Sequence, residues 1–446
     1  MAEPHWVEHA IWWHVYPLGF VGAETAAPAP DLPVSHRLSH LNDWLDYAVD
    51  LGVPGLALGP VFASETHGYD TTDYYRIDPR LGDEADFDEL IVQAHARGLR
   101  VLLDGVFNHT GRSFGPFQQV LQNGPGAPTQ GWFRLTWPEG GWVPGSEPGY
   151  EDFEGHHHLV ALNHGEPEVA SFVADVMKHW LARGVDGWRL DAAYAVPSAF
   201  WQRVLGDVRA EYPQAYFVGE YIHGDYAREV DAGSLDSVTQ YELWKAIWSS
   251  LNDANFYELA AALDRHSGFL EAFAPLTFAG NHDVTRLASK LKNPDQLPLA
   301  LVVLLTVGGT PSIYYGDEQA FRGIKEDRAG GDDAVRPSFP ATPADLAKAG
   351  WPVYHLHREL IGLRRRHPWL HRARTEVLKL SNEHLVYQAR AGGSAITVAL
   401  NMSAQTATLA LPSPAGVVLA GNGELLTEAP AVRLPAGGWA ALGPAG

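Results

Sequence analysis

Between residues 11 and about 370, short apolar runs alternate with longer segments of helical period, and the runs number eight. They cover 11–16, 55–60, 100–106, 185–190, 216–219, 234–238, 276–279 and 311–315. Parallel strands covered by helices on both faces read as near-continuous apolar stretches of this kind. Eight of them, interleaved with helical segments, predict an α/β protein built on a TIM (β/α)8 barrel. The intervening helices carry their own signals. In 168–184, Val169, Phe172, Val173, Val176, Trp180 and Leu181 recur at i, i+3, i+4 spacing, with Pro167 near the start and Gly184 at the end. In 83–98 the same period is carried by Phe87, Leu90, Ile91 and Ala94, again ending on a glycine.

Two stretches break the alternation. Residues 110–163 hold many Gly, Pro and aromatic residues with little helical period. They read as a long excursion after the third strand, an inserted loop domain, and excursions of that length are usually functional. After about 372 the pattern changes to short strands at 375–380, 384–389, 395–400, 406–411, 416–419 and 438–442, predicting a C-terminal antiparallel β-sandwich domain. The expected division is therefore a barrel over 1–109 and 164–372, an inserted domain over 110–163, and a β-domain over 373–446.

Composition narrows the partners. The 446 residues carry a formal charge of −21 with no compensating basic stretch, so nucleic acid and anionic membrane surfaces are excluded as partners. Cysteine is absent, which rules out disulfides, thiol catalysis and Cys-based metal sites. No apolar run approaches the about 20 residues of a membrane helix, and Met1 to Tyr16 lacks a basic region followed by an apolar one. A soluble, cytoplasmic protein is expected.

Four strings fall at the ends of these runs: Asp104-Gly-Val-Phe-Asn-His109, Gly187-Trp-Arg-Leu-Asp191, Val218-Gly-Glu220 and Phe278-Ala-Gly-Asn-His-Asp283. Strand exits are where barrels keep their chemistry. Arg189, two residues before Asp191 and on the same strand face, is expected to lower its pKa and keep it ionised. Glu220 closes an apolar run that would favour its protonated form. One such string alone would read as a helix cap, a turn or a salt bridge. Four together, in this order, resemble the α-amylase family of glycoside hydrolases, and the resemblance covers most of the chain.

The resemblance implies a retaining mechanism, in which a carboxylate nucleophile and a carboxylic acid stand about 5 Å apart. It makes Asp191 the nucleophile, Glu220 the acid/base and Asp283 the transition-state stabiliser. It also makes Arg189, His109 and His282 residues that line the attacked sugar's subsite, and Tyr69, in Gly68-Tyr-Asp-Thr-Thr-Asp-Tyr-Tyr-Arg-Ile-Asp-Pro79, the ring that stacks on that sugar. Asp104 is expected to be structural. Phe114-Gly-Pro-Phe-Gln-Gln-Val120, Gly131-Trp-Phe133 and Leu162-Asn-His-Gly-Glu-Pro-Glu-Val169 resemble the cyclomaltodextrinase, maltogenic amylase and neopullulanase group, although Val-Ala precedes Leu162 where that group has Pro-Lys. Gly330-Gly-Asp-Asp-Ala-Val-Arg336 is similar to its loop after the eighth strand, so Asp333 and Arg336 would hold the second sugar.

The implied substrate is an α-glucan oligosaccharide, short or cyclic, cleaved at α-1,4 and also α-1,6 linkages. Transglycosylases and glucoside isomerases share the first half-reaction and stay open, as does a non-catalytic sugar-binding barrel. The first barrel strand begins near residue 11, so the extra β-domain of that group is expected to be missing, as in a cyclic maltosyl-maltose hydrolase. A homodimer, which the group builds through that domain, would need another surface. No cofactor is required. The resemblance allows Ca²⁺ near Asn108, with Asp152 and Glu154 as candidate ligands, while His156-His-His158 reads as exposed loop and not as a zinc site. Trp132, Trp137, Trp142, Tyr150 and Phe153 are either sugar platforms or the core of the excursion.

Overall fold

The computed structural model describes residues 3–25, 33–139, 141–328 and 330–444. The outer ends of the expected domains, at 1 and 446, and Gly140 in the excursion lie outside these residues.

Eight parallel strands form one sheet: Trp12–Val15, Gly55–Leu58, Arg100–Gly105, Gly187–Leu190, Tyr216–Gly219, Ser237–Val238, Leu276–Phe278 and Thr310–Tyr314. Each lies within or beside its predicted run. The first strand pairs with both the second and the eighth, through Trp12↔Gly55 and Trp12↔Ser312. The barrel closes between the sixth and seventh strands by a single bridge, Thr239↔Leu276, reinforced by Gln240 N–H to Leu276 C=O at 2.9 Å.

Because strand side chains alternate, every second residue points into the barrel. The lower interior is apolar, packing Trp12 with Leu102, Tyr216, Val218, Leu276 and Phe278. Gly55 makes room for Trp12, since a Cβ there would lie 2.6 Å from the indole. One step up each strand the inward residues become His14, Asp104 and Arg189. The same alternation therefore builds a dry floor and a charged mouth.

The outer helices follow the expected pattern. Glu84–Ala96 starts with a capping box between Asp83 and Asp86, and its apolar face buries Phe87, Leu90, Ile91 and Ala94. Pro167–Ala182 buries Val169, Val173, Val176 and Trp180. Gly184 turns with φ +103°, and a Cβ would strike Ile91 at 2.7 Å. Among the described residues no helix is long and apolar enough to cross a membrane.

The excursion contains more helix than its sequence suggests. Gly115–Asn123 is an α-helix resting on Phe117 and Val120. Its Gly-Pro start hides the period, although Pro is well placed in a first helical turn. His109–Gly111 pairs antiparallel with His156–Ala161, which in turn pairs with Asp152–Phe153. The three consecutive histidines thus sit on a strand, exposed, and not in a loop. A hairpin of Phe62–Ser64 and Thr71–Ile77, unread in the sequence, carries Tyr69 in its connection.

At the C-terminus, Arg374–Leu380, His384–Ala391, Ser394–Asn401, Trp439–Pro444 and Ala415–Gly421 form a five-stranded antiparallel sheet. Ala407–Ala410, Ala431–Leu434 and Glu424–Leu425 form a second. Val386, Ala399, Leu409, Val432 and Leu442 fill the space between them. The last two strands of the small sheet were unread in the sequence. Ser267 and Thr375, hydroxyl to hydroxyl at 2.9 Å, and Thr306 with Tyr387, at 2.6 Å, tie the sandwich to barrel helices.

Candidate active site

A cleft of about 1080 Å³ opens over the barrel mouth. Its walls come from the Tyr69 connection, the excursion strands and the segments after the fourth to eighth barrel strands. Asp191, Glu220 and Asp283, far apart in sequence, all face it.

Arg189 lies beneath them and organises the floor. Its Nη1 donates to both oxygens of Asp104, at 2.9 and 2.8 Å, and to Asp191 Oδ1 at 3.0 Å. Its Nη2 is 2.6 Å from Glu220 Oε1. The guanidinium therefore serves Glu220 as well as Asp191, where the sequence suggested Asp191 alone. Glu220 Oε2 accepts the Ala192 N–H at 3.0 Å, and Oε1 accepts from Tyr241 at 3.3 Å.

The electrostatics correct one expectation. Burial pushes the Asp191 carboxyl well above the ordinary range. Arg189 pulls it down as predicted, but Glu220, Asp104 and Asp283 push it up again, and the net direction is upward. Asp283 shows the opposite balance. Burial raises it, yet His282, Arg336 and Lys325 outweigh burial and hold it well below the usual carboxylate range. His282 Nε2 lies 2.9 Å from Asp283 Oδ2, and Arg336 Nη2 donates to Asp283 Oδ1 at 2.9 Å.

Tyr69 borders the cleft with its ring stacked on His282, centroids 5.2 Å apart. Its hydroxyl donates to Asp104 Oδ2 at 3.1 Å and touches His282 Nε2. Asp104 thus holds both Arg189 and Tyr69, the structural part expected of it. His109 also reaches the cleft, but its hydrogen-bonding capacity is used: Nε2 lies 3.0 Å from the Tyr69 carbonyl and Nδ1 3.0 Å from the Asn108 amide. Burial pushes its pKa down to about 4, so it is a neutral, fixed ring stacked on Phe153 at 4.6 Å and not a free hydroxyl donor.

Asp333 does not enter the site. It starts a short 3-10 turn, Asp333–Val335, and is exposed, whereas Asp332, one residue earlier, lines the cleft. Asp332 Oδ2 meets Arg336 Nη2 at 3.2 Å, and its Oδ1 meets Lys325 at 3.3 Å. Two adjacent aspartates are indistinguishable until the turn sets which one faces inward. Tyr194, Tyr241 and Lys325 also line the cleft without a sequence signal. Asn281 stood in a recognised string without a role; its side chain donates to Tyr241.

Of the five excursion aromatics, only Phe153 lines the cleft. Trp132 packs on Phe172 and Phe114, and Tyr150 on Phe117, so these serve as core. Each calcium candidate has a protein partner. Asn108 donates to His109, Asp152 accepts from the Gly155 N–H and meets His157, and Glu154 accepts from Tyr194 at 2.9 Å. Among the described residues, the one cluster of three potential ligands is His36, Asp83 and Asp86, outside the cleft, where the two acids already form a helix cap. Residues 108, 152 and 154 do not fit a calcium ion, which needs six or more oxygens.

The family model of the α-amylase catalytic domain matches residues 37–375. A cyclomaltodextrinase of Geobacillus thermopakistaniensis (strain MAS1) is 32% identical over 434 residues, covering 92% of this chain and 71% of that enzyme. The chain spans 61% and 58% of the length of two further curated relatives. Two solved structures match nearly end to end. The Nostoc punctiforme debranching enzyme is 28% identical with a TM-score of 0.82, covering 99% of this chain and 100% of its own. The cyclic α-maltosyl-(1→6)-maltose hydrolase of Arthrobacter globiformis is 25% identical, also with a TM-score of 0.82 and the same coverage. With the carboxylates gathered at the mouth of an eight-stranded barrel and this match over three quarters of its length, the chain belongs to the α-amylase family of glycoside hydrolases.

Proposed function

We propose that the protein is a retaining hydrolase that cleaves α-1,4 and α-1,6 linkages in short or cyclic malto-oligosaccharides. The observation that carries this is one guanidinium holding Asp191 and Glu220 together at the floor of an open cleft, with Asp283 facing them. That arrangement suits the separation of about 5 Å between nucleophile and acid in retaining enzymes.

In the first half-reaction, Asp191 attacks the anomeric carbon while Glu220 gives its proton to the departing glycosidic oxygen. The carbon–oxygen bond breaks, and the sugar remains as an ester of Asp191. In the second, Glu220 takes a proton from water, the water oxygen attacks the same carbon, and Asp191 leaves ionised. The pair needs one proton between its two carboxyls, and Arg189, touching both, stabilises the negative charge wherever it lies. Asp283, held ionised, accepts hydrogen bonds from sugar hydroxyls that strengthen as positive charge develops in the ring. Tyr69 offers the platform, with His282 behind it. Arg336 joins Asp283 to Asp332, and Arg336 and Asp332 would hold the next sugar.

The division into a barrel of 1–109 and 164–372, an inserted domain over 110–163 and a C-terminal domain over 373–446 is part of the same proposal. The near-complete match to a debranching enzyme and to a cyclic maltosyl-(1→6)-maltose hydrolase supports cleavage of α-1,6 bonds by a chain of this build. The test is product analysis with maltotriose, cyclodextrins, pullulan and panose, using wild type, Asp191→Asn and Glu220→Gln. Wild type should release reducing sugar, and each variant should lose at least about a thousandfold in turnover with an unchanged circular dichroism spectrum. Near-normal turnover in either variant contradicts the assignment.

A further inference from the structure

Tyr241 begins the helix Tyr241–Asn252, just past the bridge that closes the barrel. Its ring is clamped edge-to-face by Phe278 at 4.9 Å and Trp244 at 5.8 Å. The hydroxyl lies 2.9 Å from Asn281 Nδ2 and 3.3 Å from Glu220 Oε1. The polarity of this chain follows from Asn281. Its Oδ1 accepts the Asp283 N–H at 2.9 Å, so its NH₂ is the end that faces Tyr241. An amide NH₂ only donates, so the phenol oxygen accepts and its one proton is left for Glu220. Burial holds the phenol far above its ordinary range, so this donor persists at every working pH.

We propose that Tyr241, oriented by Asn281, is a positioning residue that decides which oxygen of Glu220 carries the catalytic proton. Arg189 and Tyr241 together occupy Oε1, whose two lone pairs are then used. Among the described residues Oε2 takes only the Ala192 N–H and keeps one lone pair. The transferable proton therefore sits on Oε2, and the carboxyl cannot flip without breaking two hydrogen bonds. Asn281 also holds the backbone of Asp283, so one side chain sets the acid/base and the facing acid in a common register.

This inference rests on Glu220 being the acid/base. The charged and titratable groups around Glu220 are Arg189 and Asp191 at the fourth strand, Asp104 on the third, Tyr194 from the following loop, Asp283 facing it from beyond the seventh, and Tyr241 itself. Among the cations, Arg189 is unchanged by a substitution at 241. Deleting the phenol hydroxyl frees one lone pair of Oε1, so the proton is no longer confined to Oε2.

The experiment uses Tyr241→Phe, which keeps the ring and deletes the hydroxyl, with Asn281→Ala as a second variant that frees the phenol to turn. Turnover against pH is measured on maltotriose and on p-nitrophenyl α-maltoside, whose leaving group needs little protonation. For Tyr241→Phe, turnover at the optimum should fall about tenfold on maltotriose and less than about twofold on the nitrophenyl substrate. Asn281→Ala should show the same split between the two substrates. An equal loss on both substrates, or turnover of maltotriose unchanged in both variants, overturns the assignment of Tyr241. Failure of the underlying mechanism would look different: an inactive wild type, or a Glu220→Gln variant that still turns over maltotriose.

Discussion

Replacing Arg189 with methionine would leave three buried acids without the cation they share. The Arg189 side chain is 13% exposed, and those of Asp104, Asp191 and Glu220 are 1%, 10% and 9% exposed, so solvent cannot take its place. Removing one partner of a buried ion pair costs about 3–5 kcal/mol. Three acids depend on this cation, which places the loss near about 5 kcal/mol and makes it a large share of a typical total of about 5–15 kcal/mol. The variant should fold, but weakly. The loss should also depend on pH, and its sign can be worked out. Burial already raises Asp104 and Asp191 while Arg189 opposes it, so deleting the cation raises both further. A carboxyl raised in the folded state costs stability at neutral pH and regains it as pH falls through its folded pKa. The deficit should therefore be full at pH 8 and clearly smaller at pH 5. Urea denaturation at the two pH values measures it directly. A deficit below about 1 kcal/mol at pH 8, the value of an exposed pair, or one identical at both pH values, would refute the reasoning. Arg189→Lys should recover much of the stability but little turnover, since an ammonium lacks the planar fork that meets Asp191 and Glu220 on separate nitrogens.

Other expectations follow from the cleft walls. Asp332→Asn should raise KM for maltotriose about tenfold, through its contacts with Arg336 and Lys325, while Asp333→Asn should change it less than about twofold; the reverse order in steady-state kinetics would put the wrong aspartate in the site. Dialysis against EDTA should leave turnover within about twofold of its starting value, because the carboxylates of Asp152 and Glu154 are engaged with protein partners. A loss that added calcium restores would contradict that.

The barrel was legible because its strands are buried on both faces, which forces apolar runs such as Tyr216–Gly219 whatever the rest of the chain does. The catalytic candidates were legible for a related reason. Asp191, Glu220 and Asp283 each lie just past an apolar run, and a charge at that point stands at a barrel mouth. What neighbours on other strands contribute was not legible. The upward push on Asp191 comes from burial and from acids at positions 220, 104 and 283, none of them near it in sequence. The choice of Asp332 over Asp333 turns on the start of one 3-10 turn. The full engagement of His109 needs the Tyr69 carbonyl, forty positions away. Local sequence determined which segments form strands and which acids end them, because burial and periodicity are properties of a few consecutive residues. Tertiary structure alone decided protonation, pairing and the Asn281–Tyr241–Glu220 chain, because Coulomb interactions and hydrogen bonds depend on distances of a few ångströms between residues that the sequence keeps apart.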